Sequence, residues 1–141
     1  MSLIKTVPWK LSGKAMEHFR VAVKTDDHCG GLLSVLDDIN SGKLQLWLWE
    51  DGDGIATFIV EIMIQRDGSK EFLIRMLSGE GLIEKYPEVS KEMIGYAKEM
   101  GCSRVTGYVK PAIADKACRV DGKLDPKFDF EERYIVMAKE I

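Results

Sequence analysis

The sequence has few cysteines, no long apolar run and no surplus of positive charge. Its three cysteines, Cys29, Cys102 and Cys118, are widely spaced and form no CxxC pair. We therefore expect free thiols in a reducing compartment, not disulfides or a metal site. No stretch approaches the roughly 18–20 apolar residues of a membrane span, and no apolar segment of a signal peptide follows residues 1–3. These absences predict a cytoplasmic protein without a membrane partner.

The charge balance argues against nucleic acid as a partner. With 20 basic and 23 acidic residues the net charge is −3, whereas a protein that binds nucleic acid needs an excess of positive charge. A length of 141 residues with 45% apolar residues predicts one domain over residues 1–141, with one sizeable core. Residues 1–12 are either an N-terminal extension or a first strand.

The spacing of apolar residues predicts two helices, a three-stranded meander, a helix and a further strand. The predicted elements are helices over 13–25 (capped by Ser12) and 30–41, strands over 44–49, 55–64 and 71–77, a helix over 87–100, a strand over 103–109, a short helix over 112–119, a loop over 122–130 and a last strand over 133–139. The fourth strand should lie parallel to the third, because a helix connects them. The predicted fold class is α/β, or an α+β mixed sheet: a central mixed β-sheet flanked by helices on both faces.

Three local patterns admit a functional and a structural interpretation. His28 and Cys29 suggest a metal or thiol site, but no second cluster supplies further ligands, so a solvated loop is favoured. Residues 51–54 resemble the start of a calcium loop, but the positions that follow fail its pattern, and we predict a hairpin turn. Trp47 and Trp49 share one face of a strand and are either core beneath the first helices or, if exposed, a partner-binding patch.

The most informative segment is the junction between the third strand and the next helix, residues 75–82. Gly79 and Gly81 lie one residue apart there. Glycines at such a junction let the backbone turn sharply and leave its amides free to face a ligand.

In element order and in this junction the chain resembles the GNAT acetyltransferases. That family carries a loop of the form Arg/Gln-x-x-Gly-x-Gly/Ala, and the nearest match is residues 76–81, with Met76 at the first position. The resemblance implies a GNAT-like fold and acetyl-coenzyme A bound through its pyrophosphate by loop amides and the following helix N-terminus. The implied binding residues are Leu77, Ser78, Gly79, Glu80, Gly81 and Leu82.

Three features argue against a working phosphate site. Glu80 lies between the glycines and further glutamates follow, which disfavours an anionic ligand. Pro87 disfavours helical geometry before it, so we expect the regular helix to begin near residue 86, too far from Gly81 for its dipole to act. No Arg or Lys lies between Leu77 and Ile83.

The resemblance also implies amine attack on a thioester, with a carboxylate base and a tyrosine acid. Glu61 and Glu71 are the candidate bases. No tyrosine lies between residues 109 and 133, where the family commonly has its acid. Tyr108 or Tyr134 is the possible substitute, and each is equally compatible with a half-buried structural role.

The pattern further resembles small GNAT-like proteins of short-tailed double-stranded DNA phages, some of them head-assembly or internal virion proteins. The similar segments are residues 42–47, the loop 79–81 and residues 134–140. The favoured hypothesis is a non-catalytic accessory protein without a cofactor, acting through protein–protein contacts in the host cytoplasm or the virion. The alternatives are an acetyl-coenzyme A-dependent N-acyltransferase acting on an unknown amine, and a module that binds another small ligand between strands 71–77 and 103–109.

Overall fold

The computed structural model describes residues 3–25, 30–107, 119–120 and 123–124. The chain divides into two units, residues 1–108 and residues 109–141. The elements of the first unit are Leu3–Thr6 (β1), Gly13–Lys24 (α1), Leu32–Ser41 (α2), Gln45–Asp51 (β2), Gly54–Ile64 (β3), Lys70–Glu80 (β4), Leu82–Glu99 (α3) and Cys102–Gly107 (β5), with a short 3-10 turn at Pro8–Lys10. In the second unit Arg119–Val120 (β6) pairs antiparallel with Lys123–Leu124 (β7).

The first unit is built on one mixed sheet, as predicted. Its strands lie in the order β1-β2-β3-β4-β5. Neighbours from β1 to β4 are antiparallel, and β5 runs parallel to β4. The fold is therefore α+β, and residues 3–6 form a first strand at the sheet edge.

Helices cover both faces of this sheet because both faces are apolar. One buried cluster joins α1 and α2 to the sheet through residues such as Phe19, Val35 and Ile59. A second cluster joins α3 to the opposite face through Val89 and Met93. Strand β3 lies between the clusters, and its residues 56–60 are buried throughout. A strand covered on both faces typically has a nearly continuous apolar sequence, as residues 55–64 do.

The two tryptophans of β2 are core residues, but not beneath the first helices. Trp47 and Trp49 are buried in the cluster that α3 covers. The Trp47 ring lies 4.7 Å from the ring of Tyr96 on α3, centroid to centroid. The predicted core role is confirmed. The helix that covers the two side chains is α3, and not the first helices as predicted.

The main helix begins earlier than predicted. Gly81 is the N-cap of α3, and the helix starts at Leu82 with Pro87 inside it. A proline within a helix removes one backbone hydrogen bond and disfavours the residue before it, but packing can outweigh that cost. Leu82, Val89, Met93 and Ala97 all pack into one core cluster, which explains why the helix continues through the proline.

Several other predictions are corrected or lie outside the described residues. Strands β6 and β7 occupy the end of the predicted helix 112–119 and the start of the predicted loop 122–130. His28, Cys29 and the predicted strand 133–139 are outside the described part of the chain. Cys102 is buried and free, as expected. In the described part, no helix combines the length and apolar character that crossing a membrane requires.

Strand β4 contains one residue more than the facing part of β3. Ile59 pairs with Met76 while Val60 pairs with Ile74, so Arg75 is the extra residue in the register between the two strands. Such a bulge bends the strand and shifts which face the following side chains occupy. Phe72 and Ile74 lie on the α3 side, whereas Met76 lies in the α1 cluster.

We predict that Phe19→Ala destabilises the protein by about 3–5 kcal/mol, because it empties a buried site between α1 and the sheet. Phe19 is 1% exposed, whereas Val21 on the same helix is 51% exposed. Val21→Ala is the control and should change stability by less than about 0.5 kcal/mol. Urea unfolding measures both, and equal losses would contradict the packing described for α1.

Candidate functional site

The junction between β4 and α3 is a single-residue turn. Strand β4 ends at Glu80, Gly81 has φ 70° and ψ 8°, and Leu82 is the first helical residue. The N-cap residue is a glycine and makes no side-chain cap hydrogen bond, so it offers no side-chain acceptor to the first backbone N–H groups of α3. The helix N-terminus therefore lies directly after the glycine turn, and the predicted separation of the two is wrong.

Both glycines of the junction also have structural reasons to be glycine. A Cβ at position 79 would lie 2.5 Å from the Cβ of Ala56 and 2.7 Å from the carbonyl oxygen of Ile55. A Cβ at Gly81 would lie 3.2 Å from Gly54 Cα, in a left-handed conformation that other residues rarely adopt. The glycine pair is thus required for packing whether or not a phosphate binds.

A polar cluster connects α1 to the end of β4. Lys14 Nζ lies 3.2 Å from Glu80 Oε2, and His18 Nε2 lies 3.1 Å from Glu80 Oε1. His18 Nδ1 lies 2.8 Å from Ser78 Oγ. The pKa of Glu80 is lowered below its ordinary 4.5, first by the hydrogen bond from Lys14 and then by that from His18. The carboxylate between the glycines is therefore partly neutralised by two side chains of α1.

The contact of His18 with Glu80 determines that its Nε2 is a hydrogen-bond donor. A carboxylate accepts hydrogen bonds and donates none, so Nε2 must carry a proton to bind Glu80. If the ring is neutral, Nδ1 accepts from the Ser78 hydroxyl, and if it is protonated, Nδ1 donates to it. In both states His18 presents an N–H group toward the junction.

An open cavity of about 410 Å³ lies beside this cluster. Its walls come from the start of α1 and from the hairpin between β2 and β3, and they include Lys10, Lys14 and Gly54. Lys14 also binds Glu80, and Gly54 lies against Gly81. The cavity therefore adjoins the glycine turn.

The edge of β4 that points away from β3 faces no described strand near the junction. Within the described residues, β5 pairs with β4 from Lys70 to Ile74 only. Residues 76–80 of β4 face no described strand on that side, so their backbone groups can bind an extended ligand, as an edge strand binds a peptide.

The predicted bases lie further along the sheet and each has partners. Glu61 Oε1 lies 2.6 Å from Arg75 Nη1. Glu71 accepts hydrogen bonds from Gln65, Thr106 and Arg104. Both carboxylates are largely buried, with 15% and 12% of their side chains exposed. The structure brings them onto neighbouring strands but does not test their catalytic role.

The remaining predicted residues are less informative. Tyr108 and Tyr134 lie outside the described residues. Leu77 is partly exposed, and Leu82 packs against the core beneath α3. Sequence reasoning missed Lys14 and His18 as members of the site. Their i, i+4 spacing placed them on one face of a helix, but nothing in the sequence indicated that this face meets β4.

The comparisons with known proteins identify the fold. The chain superposes on an aminoglycoside 6′-N-acetyltransferase from Acinetobacter haemolyticus with a TM-score of 0.57 and 13% identity, over 100% of this chain and 99% of that one. It superposes on glucosamine-6-phosphate N-acetyltransferase from Arabidopsis thaliana with a TM-score of 0.53 and 13% identity, over 99% of each chain. A transcriptional regulator from Bacillus halodurans gives a TM-score of 0.57 at 11% identity, over 99% of each chain.

The chain thus has the fold of the GNAT acetyltransferases, as the element order predicted. No protein-family model matches the sequence, and no curated protein matches it significantly. At these identities the likeness establishes the fold alone.

We predict that Gly79→Ala destabilises the protein by about 1–3 kcal/mol, because the new methyl group overlaps the neighbouring strand. Gly95→Ala in α3 is the control: its Cβ meets nothing within 4 Å, and the change should stabilise the helix by up to about 1 kcal/mol. Thermal unfolding compares the two. A Gly79→Ala variant as stable as the wild type would show that packing does not require this glycine.

We predict that Lys14→Met raises the pKa of Glu80 toward 4.5, because the main cause of its lowering is removed. In the folded protein the lowered pKa means that the carboxylate stabilises the fold above pH 4.5, and that this contribution is lost as the pH falls through the lowered pKa. Nuclear magnetic resonance titration of the Glu80 carboxyl carbon measures the change. Lys24→Met, at the other end of α1, should leave the value unchanged.

Proposed function

We propose that this protein binds an acyl-coenzyme A at the β4–α3 junction and transfers the acyl group to an amine. One observation carries the proposal: α3 begins at Leu82, directly after the glycine turn, with a glycine N-cap that makes no side-chain hydrogen bond. First-turn N–H groups and the positive end of the helix dipole form an anion-binding site. The GNAT fold is a further support, since the neighbours named above include N-acetyltransferases.

Two of the three objections from the sequence are weaker in the structure. The helix starts at the turn, so its dipole can act there. Glu80 is held by Lys14 and His18, so its charge is partly compensated. The lack of an Arg or Lys between Leu77 and Ile83 remains, and Glu84 adds a negative charge in the first turn of α3.

The other parts of the site fit an extended thioester substrate. The edge of β4 at residues 76–80, which faces no described strand, offers backbone groups to a pantetheine arm, and the bulge at Arg75 lies where the pairing with β5 ends among the described residues. Bulges are common beside active sites because they redirect backbone groups. The thioester supplies an activated acyl group, and the reaction also needs a base for the amine proton. Glu61, Glu71 and Tyr108 stay predictions for the catalytic roles.

A second candidate is the non-catalytic role that the sequence favoured. Packing alone explains Gly79 and Gly81, so a chain that had lost its ligand would keep both. Leu33 and Trp9 are 78% and 70% exposed, and exposed apolar side chains of this size suit contacts with a protein partner. An accessory role in phage assembly or in the virion, in the host cytoplasm, belongs to this candidate.

We predict that acetyl-coenzyme A binds the wild type with a Kd of about 1–100 μM, an ordinary affinity for an enzyme substrate. Gly81→Asp should weaken binding at least about tenfold, because its carboxylate would face the diphosphate. Isothermal titration calorimetry measures both.

Gly68→Asp is the matched control. Gly68 shares the positive φ of Gly81, although a Cβ there would meet nothing within 4 Å whereas one at Gly81 would lie 3.2 Å from Gly54 Cα. Gly68 lies in the turn before β4, at the strand's other end. This variant should bind like the wild type. No heat with folded wild-type protein would contradict the proposal and favour the non-catalytic candidate.

A further inference from the structure

The β4–α3 turn has no basic side chain of its own, since residues 77–83 contain neither Arg nor Lys. Backbone amides can hold a phosphate, but the carboxylates of Glu80 and Glu84 lie at the same place in the chain. A diphosphate there would meet these two negative charges, and the one cation in the first turn of α3, Lys85, lies 3.9 Å from Glu88. Positive charge from another element would therefore favour binding.

We propose that α1 supplies what the loop lacks: Lys14 provides the positive charge and His18 an N–H donor for the diphosphate of the acyl donor, in place of a cation in the loop. The inference rests on the proposed function and adds residues that lie far from the glycine motif in the sequence. Both side chains already contact Glu80, the residue directly before Gly81.

Lys14 can exchange its hydrogen bond to Glu80 for one to a phosphate oxygen. Its Nζ lies 3.2 Å from Glu80, and its side chain is 65% exposed, so it is not held by packing. An ammonium group carries three donors on a flexible stem. It can keep one hydrogen bond to Glu80 and direct another toward a phosphate oxygen, or leave Glu80 altogether.

His18 is held more firmly. Its side chain is only 14% exposed, and both ring nitrogens have partners on β4. Ser78 fixes the ring from one side, so the Nε2–H group stays directed at the end of the strand. His18 therefore serves as a fixed donor beside the mobile ammonium of Lys14.

Glu80 acts in this arrangement as the internal acceptor for Lys14 and His18. It competes with a diphosphate for the donors of Lys14 and His18, so removing its charge should free them. If the cluster only fastened α1 to β4, the same change would leave ligand affinity the same or weaker.

The test compares two ligands and two variants. Acetyl-coenzyme A carries the diphosphate, whereas S-acetylpantetheine has the same acyl arm and no phosphate. Lys14→Met should weaken acetyl-coenzyme A about fivefold to tenfold, the usual size of one charge-assisted contact, and leave S-acetylpantetheine unchanged. Glu80→Gln should tighten acetyl-coenzyme A about threefold and likewise leave S-acetylpantetheine unchanged. Nuclear magnetic resonance titration covers the millimolar affinities expected without phosphate.

Lys24→Met is the matched control, because it removes the same charge from the same helix about 15 Å away along its axis. It should bind both ligands like the wild type, and thermal unfolding should show all variants folded. Equal effects of Lys14→Met on the two ligands, or none on either, would overturn the inference while leaving the proposed function intact. Failure of the wild type to bind acetyl-coenzyme A would remove the proposed function, and the inference with it.

Discussion

The need to cover both faces of β3 determines the arrangement of the first unit. Residues 56–60 of this strand are buried on both sides, so the sheet must have helices above and below it. Helices α1 and α2 bury one face and α3 buries the other. Once α3 must return across the sheet after β4, the chain has to turn at the end of that strand. The glycine junction exists because of this constraint, and any ligand site there is built on it.

The sheet and most of its helices could be predicted because each depends on local pattern. Alternation marked β2, continuous apolar character marked β3, and the change of period marked the helices. The predicted start of α3 is wrong because Pro87 does not end a helix whose apolar residues, from Leu82 through Val89 to Met93, pack into one core cluster. The spacing was visible in the sequence. The cost of one proline was smaller than the packing energy of the helix around it.

The candidate site was only half predictable. Both glycines were identified, since a glycine pair at a strand–helix junction is a local signal. Their close contacts with Ala56 and Gly54 depend on the pairing of β3 with β4, which no local pattern contains. Lys14 and His18 are more than sixty positions from Glu80 in the chain. Only the packing of α1 on the sheet brings them together, so the charge of the junction could not be derived from its own residues.

The extra residue at Arg75 determines which face of the sheet the side chains in the second half of β4 occupy. Without it, strand alternation would place Met76, Ser78 and Glu80 on the same side as Phe72 and Ile74, beneath α3. With it, the parity of the strand reverses, and the polar ends of Ser78 and Glu80 reach α1. One inserted residue thus determines which helix the side chains of the junction contact. The gain or loss of a single residue in this strand would move Ser78 and Glu80 from the polar side chains of α1 to the apolar face beneath α3, although no side chain of the junction had changed.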